Sequence, residues 1–154
     1  MKTRKLTTLA LLRQVGQVHH EIRPDIFPEN TLKYNEYALN ELLKDQYRPV
    51  FVAAEGDFVV GYCFCVHKDY PAGSASVPRR ELYIDDLCVD EGHRRQGIAG
   101  ALYRHTTDYA KNCGCSFVTL NVWCGNDAAM TFYQHAGMRP RHIMMEMPLE
   151  ENQC

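Results

Sequence analysis

The sequence has no uncharged apolar run long enough to span a bilayer. Its opening, Met1-Lys2-Thr3-Arg4-Lys5, leads into an amphipathic segment rather than the apolar core of a secretory signal. A soluble, cytoplasmic protein with no membrane partner is the expectation. A basic excess is also missing: the net charge is −2, which argues against a broad nucleic-acid-binding face. Neither repeats nor a low-complexity linker divide the 154 residues, so a single domain over residues 1–154 is expected. Walker A is absent, and of a G-x-G-x-x-G fingerprint only Gly97 and Gly100 are present, after a loop longer and more basic than that turn needs. P-loop and dinucleotide-binding chemistry are therefore set aside.

Cysteine is not scarce. Seven are present, an odd number, and without a secretory signal they read as reduced, buried small hydrophobes. Cys63-Phe-Cys65 and Cys113-Gly-Cys115 are spaced more tightly than zinc pairs usually are, so no metal is expected.

Periodicity predicts a mixed α/β chain in the order β-α-α-β-β-β-α-β-α-β. Residues 2–6 read as a short strand. A helix capped by Thr7 or Thr8 carries Leu11, Val15, Val18 and Ile22 on one face and ends by Arg23, ahead of Pro24. A second helix starts at Asn30 or Thr31 and runs to about Lys44. P-V-F-V-A-A-E and F-V-V-G-Y-C-F-C-V-H form a hairpin, and E-L-Y-I-D-D-L-C-V follows as a strand. A helix from Gly97 buries Ile98, Ala101, Leu102, His105 and Tyr109 and stops at Gly114. S-F-V-T-L-N-V-W is a strand, Asn126 caps a short helix ended by Gly137, and M-R-P-R-H-I-M-M-E-M-P is the last strand.

Two features in this frame carry chemistry. Asp85 and Asp86 stand where a packed strand would place Val or Ile. Adjacent, partly buried carboxylates discourage each other's ionisation, which suits proton transfer. Strand alternation sends them to opposite faces unless a bulge intervenes. Downstream, Arg94-Arg95-Gln96-Gly97-Ile98-Ala99-Gly100 opens a helix with small residues and two cations. A helix N-terminus with free N–H groups and close backbone access is an anion site. One half of the segment suits an amine and the other a phosphate.

Arg94-Arg95-Gln96-Gly97-Ile98-Ala99 resembles the (Q/R)-x-x-G-x-(G/A) signature of the GNAT N-acetyltransferases. Leu87-Cys88-Val89 stands at that family's fourth strand, and Asn126 through Tyr133 followed by Ala136-Gly137-Met138 is similar to its N-x-x-A-x-x-(F/L)-Y-x-x-x-G-F segment. The resemblance implies the GNAT fold, a mostly antiparallel sheet of six to seven strands flanked by four helices. It implies acetyl-CoA as co-substrate, its pyrophosphate on residues 94–100 and its pantetheine arm on the backbone of Leu87, Cys88 and Val89, with Asn126 nearby. A backbone N–H near Cys88 or Val89 would polarise the thioester, and Cys88 itself reads as a packed thiol. His93 and Asp90-Glu91 depart from the usual pattern.

Leu82-Tyr83-Ile84-Asp85-Asp86-Leu87 also resembles the Y-L-E-D-F segment of diamine and polyamine N-acetyltransferases. By that likeness Asp85 is the general base, acting through a water, Asp86 its neighbour in amine positioning, and Tyr133 the general acid. A small-molecule primary amine is the implied acceptor. Glu21, Asp25, Glu29, Tyr34, Glu36 and Tyr37 would wall its groove, with His19 and His20 nearby. A protein N-terminal or lysine acetyltransferase and a non-catalytic acyl-CoA sensor are the alternatives. Family members often pair through terminal strands, so a homodimer is compatible with the resemblance.

Overall fold

Helix α1 spans Lys2–Ile22 in the computed structural model, which describes residues 2–73 and 75–149. The strand expected at residues 2–6 is instead the first turn of this helix. Thr7 and Thr8 do not cap it; their hydroxyls donate back to the Arg4 carbonyl at 3.0 and 2.8 Å, a bond of helix interiors. Leu11 and Leu12 are buried on the inner face. Gly16 lies mid-helix, at a cost of about 1 kcal/mol relative to alanine. A Cβ there would stand 2.4 Å from the Thr31 carbonyl oxygen, so the glycine lets the next segment cross the helix in contact.

That segment delays the second helix. Asn30 has φ +59° and the Thr31 hydroxyl turns back to the Pro28 carbonyl. Helix α2 is therefore only Glu36–Leu42, capped by the Asn35 side chain on the Ala38 N–H at 2.8 Å rather than by Asn30 or Thr31.

Strands β1 (Val50–Glu55), β2 (Phe58–Tyr70), β3 (Arg79–Val89) and β4 (Phe117–Leu120) form one sheet in that order. The first three pair antiparallel, and β4 lies parallel to β3 after the crossover helix α3, Ile98–Asn112. Helix α4, Asp127–His135, is capped by Asn126. The four expected helices are present, but the sheet has four strands among the described residues, not six to seven. The tail expected as a final strand has no strand pairing from 138 to 149. Pro140 and Pro148 withhold N–H donors. The tail is held by side chains instead: Arg141 reaches Glu81 at 2.8 and 3.0 Å, and Glu146 reaches Arg23 at 2.7 Å.

Helices cover both sheet faces. Leu11, Leu12 and Leu39 pack on Val59, Tyr62, Phe64 and Cys88 on one side. Leu102 and Ala110 of α3 pack on Cys63, Cys65, Leu82 and Ile84 on the other. Residues 59–65 of β2 are buried throughout, as a central strand covered on both faces should be. Cys63, Cys65 and Cys88 are buried as expected, whereas Cys124 is exposed; Cys154 lies outside the described residues.

Two irregularities open the site. Pairing of β3 with β4 runs from Glu81–Phe117 to Ile84–Leu120 and stops, so the two strands part beyond Ile84. In the same place the register with β2 shifts: Phe64 faces Asp86 while Cys65 faces Ile84, leaving Asp85 as the extra residue of a β-bulge.

Candidate active site

The bulge reverses the alternation. Leu82 and Ile84 pack toward α3, and so do Leu87 and Val89, which means the phase slips by one residue between them. Both carboxylates are consequently turned to the α1 side. Asp85 Oδ2 accepts from the Tyr34 hydroxyl at 2.6 Å, and the Lys33 ammonium lies 3.0 Å from Oδ1 and 2.8 Å from the Asp85 carbonyl oxygen. Asp86 Oδ2 accepts from the Tyr62 hydroxyl at 2.8 Å. Burial pushes the Asp86 carboxyl up to about 6, against the pull of the Tyr62 hydrogen bond and of Lys33.

Where β3 and β4 part there is a cavity of about 560 Å³. It is lined by Asp85, Asp86 and Leu87, by Leu120, Asn121, Val122 and Trp123, and by His19, Phe27 and Lys33, with Phe27 edge-on against Trp123 at 5.2 Å between ring centroids. Asn126 and Tyr133 close one end. Tyr133 is held against Tyr103 of α3 and its neighbour Phe132, with ring centroids 6.1 and 5.0 Å away. Burial raises its phenol above the ordinary range, so it keeps its proton at neutral pH. Asn126 spends its side-chain oxygen on the Ala129 N–H at 3.2 Å. Cys88 points away from the cavity, its thiol directed at the Leu11 carbonyl, and burial pushes it up to about 12; a packed thiol, not a nucleophile.

The basic loop follows directly from β3. A 3₁₀ turn at Glu91–His93 is capped by Asp90, whose carboxylate also accepts from Gln14 Nε2 at 2.8 Å and from His93 Nδ1 at 2.7 Å. Gln14 accepts the Glu91 N–H at 3.1 Å as well, so one amide on α1 pins the loop twice. These bonds hold Asp90 below the usual carboxylate range and occupy its charge. Arg94, Arg95, Gln96 and Gly97 are exposed, and Arg95 adopts a left-handed backbone (φ +62°). Gly97 (φ +81°) is the N-cap of α3 and supplies no side-chain acceptor, and a Cβ there would meet nothing within 4 Å. The first helical bond runs from the Ala101 N–H to the Gly97 carbonyl, which leaves the N–H groups of Ile98, Ala99 and Gly100 without a helical acceptor beside two exposed arginines, a set that could hold a diphosphate. The edge of β3 beyond Ile84, carrying Leu87, Cys88 and Val89, has no β4 partner.

The expected acidic wall is not assembled. Asp25 is tied to Arg23 at 2.6 Å, Glu21 is bonded to Gln17, and Glu29, Glu36 and Tyr37 are exposed. His20 holds the Phe27 carbonyl. Of the residues expected there, His19 lines the cavity and Tyr34 reaches Asp85. The residues missed were Lys33, Tyr62, Phe27 and Trp123. Tyr62 alternates with Phe64 on a strand and could have been placed; Lys33 sits on an irregular segment and had no local signal. Among the described residues no cluster of His, Cys, Asp and Glu is arranged to hold a metal, and no helix is long and apolar enough to cross a membrane.

Residues 16–138 match the Acetyltransferase (GNAT) family. The chain belongs to the GNAT acetyltransferase family. It is 30% identical over 104 residues to N-alpha-acetyltransferase 30 of Schizosaccharomyces pombe, covering 68% of this chain and 66% of that protein. It is 33% identical over 88 residues to streptothricin acetyltransferase of Streptomyces lavendulae, covering 57% of this chain and 42% of that one. The chain spans from 37% to 66% of the length of such curated relatives. Among solved structures, a tetramutant of the BH1408 protein of Bacillus halodurans superposes with a TM-score of 0.89 at 29% identity, covering 94% of this chain and 93% of that one.

Proposed function

We propose that the chain transfers an acetyl group from acetyl-CoA to the primary amine of a small molecule. The bulge at Asp85 carries this reading, because it turns two adjacent carboxylates into one cavity on the strand that leads to the open helix N-terminus. Backbone N–H groups of Ile98, Ala99 and Gly100, with Arg94 and Arg95, would hold the diphosphate, and the open edge at Leu87–Val89 and Asn126 the pantetheine arm. Acetyl-CoA supplies an activated acetyl thioester when bound.

We assign proton removal from the ammonium to Asp86. It is deprotonated above about pH 6 and sits in a desolvated position where an alkylammonium is favoured to give up its proton. Asp85, fixed by Lys33 and Tyr34, orients the floor of the cavity. The strand likeness instead makes Asp85 the base through a water, and pH profiles of the two Asp→Asn variants separate these assignments. Tyr133 keeps its phenol proton, and its hydroxyl is the donor we assign to the departing sulfur.

The relative named N-alpha-acetyltransferase 30 favours a second reading, transfer to a protein N-terminus. A cavity of about 560 Å³ is of small-ligand size and supports the first. Mass spectrometry of products after incubation with acetyl-CoA and separate pools of polyamines, aminoglycosides, amino acids and short peptides tests both. Product from a small-molecule pool, lost in Asp86→Asn, supports the proposal. Product only from peptides supports the second reading, and binding of acetyl-CoA with no product from any pool means a sensor.

A further inference from the structure

The charges inside the cavity do not suit a polyamine. Lys33 places its ammonium 3.0 Å from the Asp85 carboxylate and 2.8 Å from the Asp85 carbonyl oxygen, which neutralises that acid. An ammonium has three donors, so one remains after both contacts. The Lys33 side chain is 37% exposed and faces the cavity. Asp86 is then the cavity carboxylate with no cation in contact among the described residues; its partner is the neutral Tyr62 hydroxyl. Facing the parted strands, His19, Phe27 and Trp123 make an aromatic corner, with Phe27 5.0 Å from His19 and 5.2 Å edge-on from Trp123. Burial and Lys33 lower the proton affinity of His19, and the Arg23 guanidinium 5.7 Å from the Trp123 ring centroid is paired with Asp25 and Glu146.

The cavity therefore offers a seat for one ammonium, one cation with a spare donor, and an apolar corner. A polyamine would bring a second positive charge to Lys33 with no free acid to receive it. We propose, resting on the transferase reading above, that the acceptor is an amino acid. Its α-amine lies at Asp86, its carboxylate takes the spare Lys33 donor, and its apolar or aromatic side chain occupies the His19–Phe27–Trp123 corner. As the nitrogen–carbon bond forms, the thioester carbon–sulfur bond breaks. One ammonium proton ends on the thiol and a second leaves through Asp86 to solvent. Lys33 is then a specificity-determining residue that touches the substrate.

The test compares phenylalanine, phenethylamine (the same skeleton without the carboxylate) and spermidine, with product read by mass spectrometry. Wild-type protein should favour phenylalanine over phenethylamine by about tenfold or more in kcat/KM, with spermidine slowest. Lys33→Met should lower the phenylalanine-to-phenethylamine ratio of kcat/KM by about tenfold, whatever its common effect through Asp85 and Asp86, and raise spermidine relative to both as Asp85 is released. Lys33→Arg should keep the wild-type order. Preference of the wild type for spermidine or phenethylamine overturns the inference. So does an equal loss on all three in Lys33→Met, because Lys33 would then only prop Asp85. If none of the three and no other amino acid is acetylated but the aminoglycoside pool yields product, the amino-acid inference fails and the transferase reading stands. No product from any pool overturns both.

Discussion

Glu81 and Asp86 lie on the same strand with their carboxyls held out of bulk water, and the protein drives them in opposite directions. Glu81 is 2% exposed and meets two guanidiniums, Arg79 at 2.7 Å and Arg141 at 2.8 Å. The Arg141 bonds, then Arg79, hold it at about 2 against desolvation. Asp86 meets a hydroxyl and a more distant Lys33, so desolvation wins and it rises to about 6. Desolvation raises both, more strongly at the deeper Asp86, and of the two only Glu81 has a cation touching its carboxylate among the described residues. A touched carboxylate stays charged and fastens the tail to the sheet. An untouched one is left near neutrality in its proton affinity, where it can exchange a proton with an amine.

The largest effect that would sharpen this contrast is on activity. Asp86→Asn should lower kcat/KM by about 10²- to 10⁴-fold, measured by product mass spectrometry. The same variant should gain about 1–2 kcal/mol of stability at pH 7.5 by urea denaturation. The sign follows from the raised proton affinity: holding Asp86 in the fold costs nothing below its ordinary 3.8 and becomes unfavourable as pH rises through about 6. Tyr133→Phe should reduce kcat by about 10- to 100-fold with KM nearly unchanged, because only a proton donor is removed.

Glu81→Gln should do the reverse of Asp86→Asn: activity close to wild type, stability lower by about 1–3 kcal/mol at pH 7. Its proton affinity is depressed, so the stabilisation is complete above its ordinary 4.5 and drains as pH falls toward 2. The urea midpoints of wild type and Glu81→Gln should therefore converge in acid. Arg141→Met is milder, about 0.5–1.5 kcal/mol, since Arg79 still meets Glu81 and Arg141 is 45% exposed. Equal losses of activity in the Glu81 and Asp86 variants would erase the distinction between the two carboxylates.

Much of this arrangement is legible in the sequence. The crossover helix and its open N-terminus are written in Gly97, Ala99 and the face from Ile98 to Tyr109. The bulge is written there too: apolar residues at Leu82 and Ile84, then Leu87 and Val89, break a two-residue period across Asp85-Asp86. Other parts are set by contacts with no local pattern. Lys33 reaches Asp85 from an irregular segment whose path depends on Gly16 admitting the Thr31 carbonyl. Residues 2–6 look strand-like until the Thr7 and Thr8 hydroxyls are seen to bond back to Arg4. In the tail, the run Ile143-Met144-Met145 suggests a strand, but Pro140 and Pro148 leave Arg141 and Glu146 to hold it.

The pH dependence of kcat/KM in wild type and Asp85→Asn separates the two carboxylates of the bulge. The wild-type profile should rise with an apparent pKa near 6, belonging to Asp86. In Asp85→Asn the rising limb should persist, shifted slightly lower because Asp85's neighbouring charge helps to raise Asp86. A limb that vanishes with Asp85 would contradict the account and return the base to that residue.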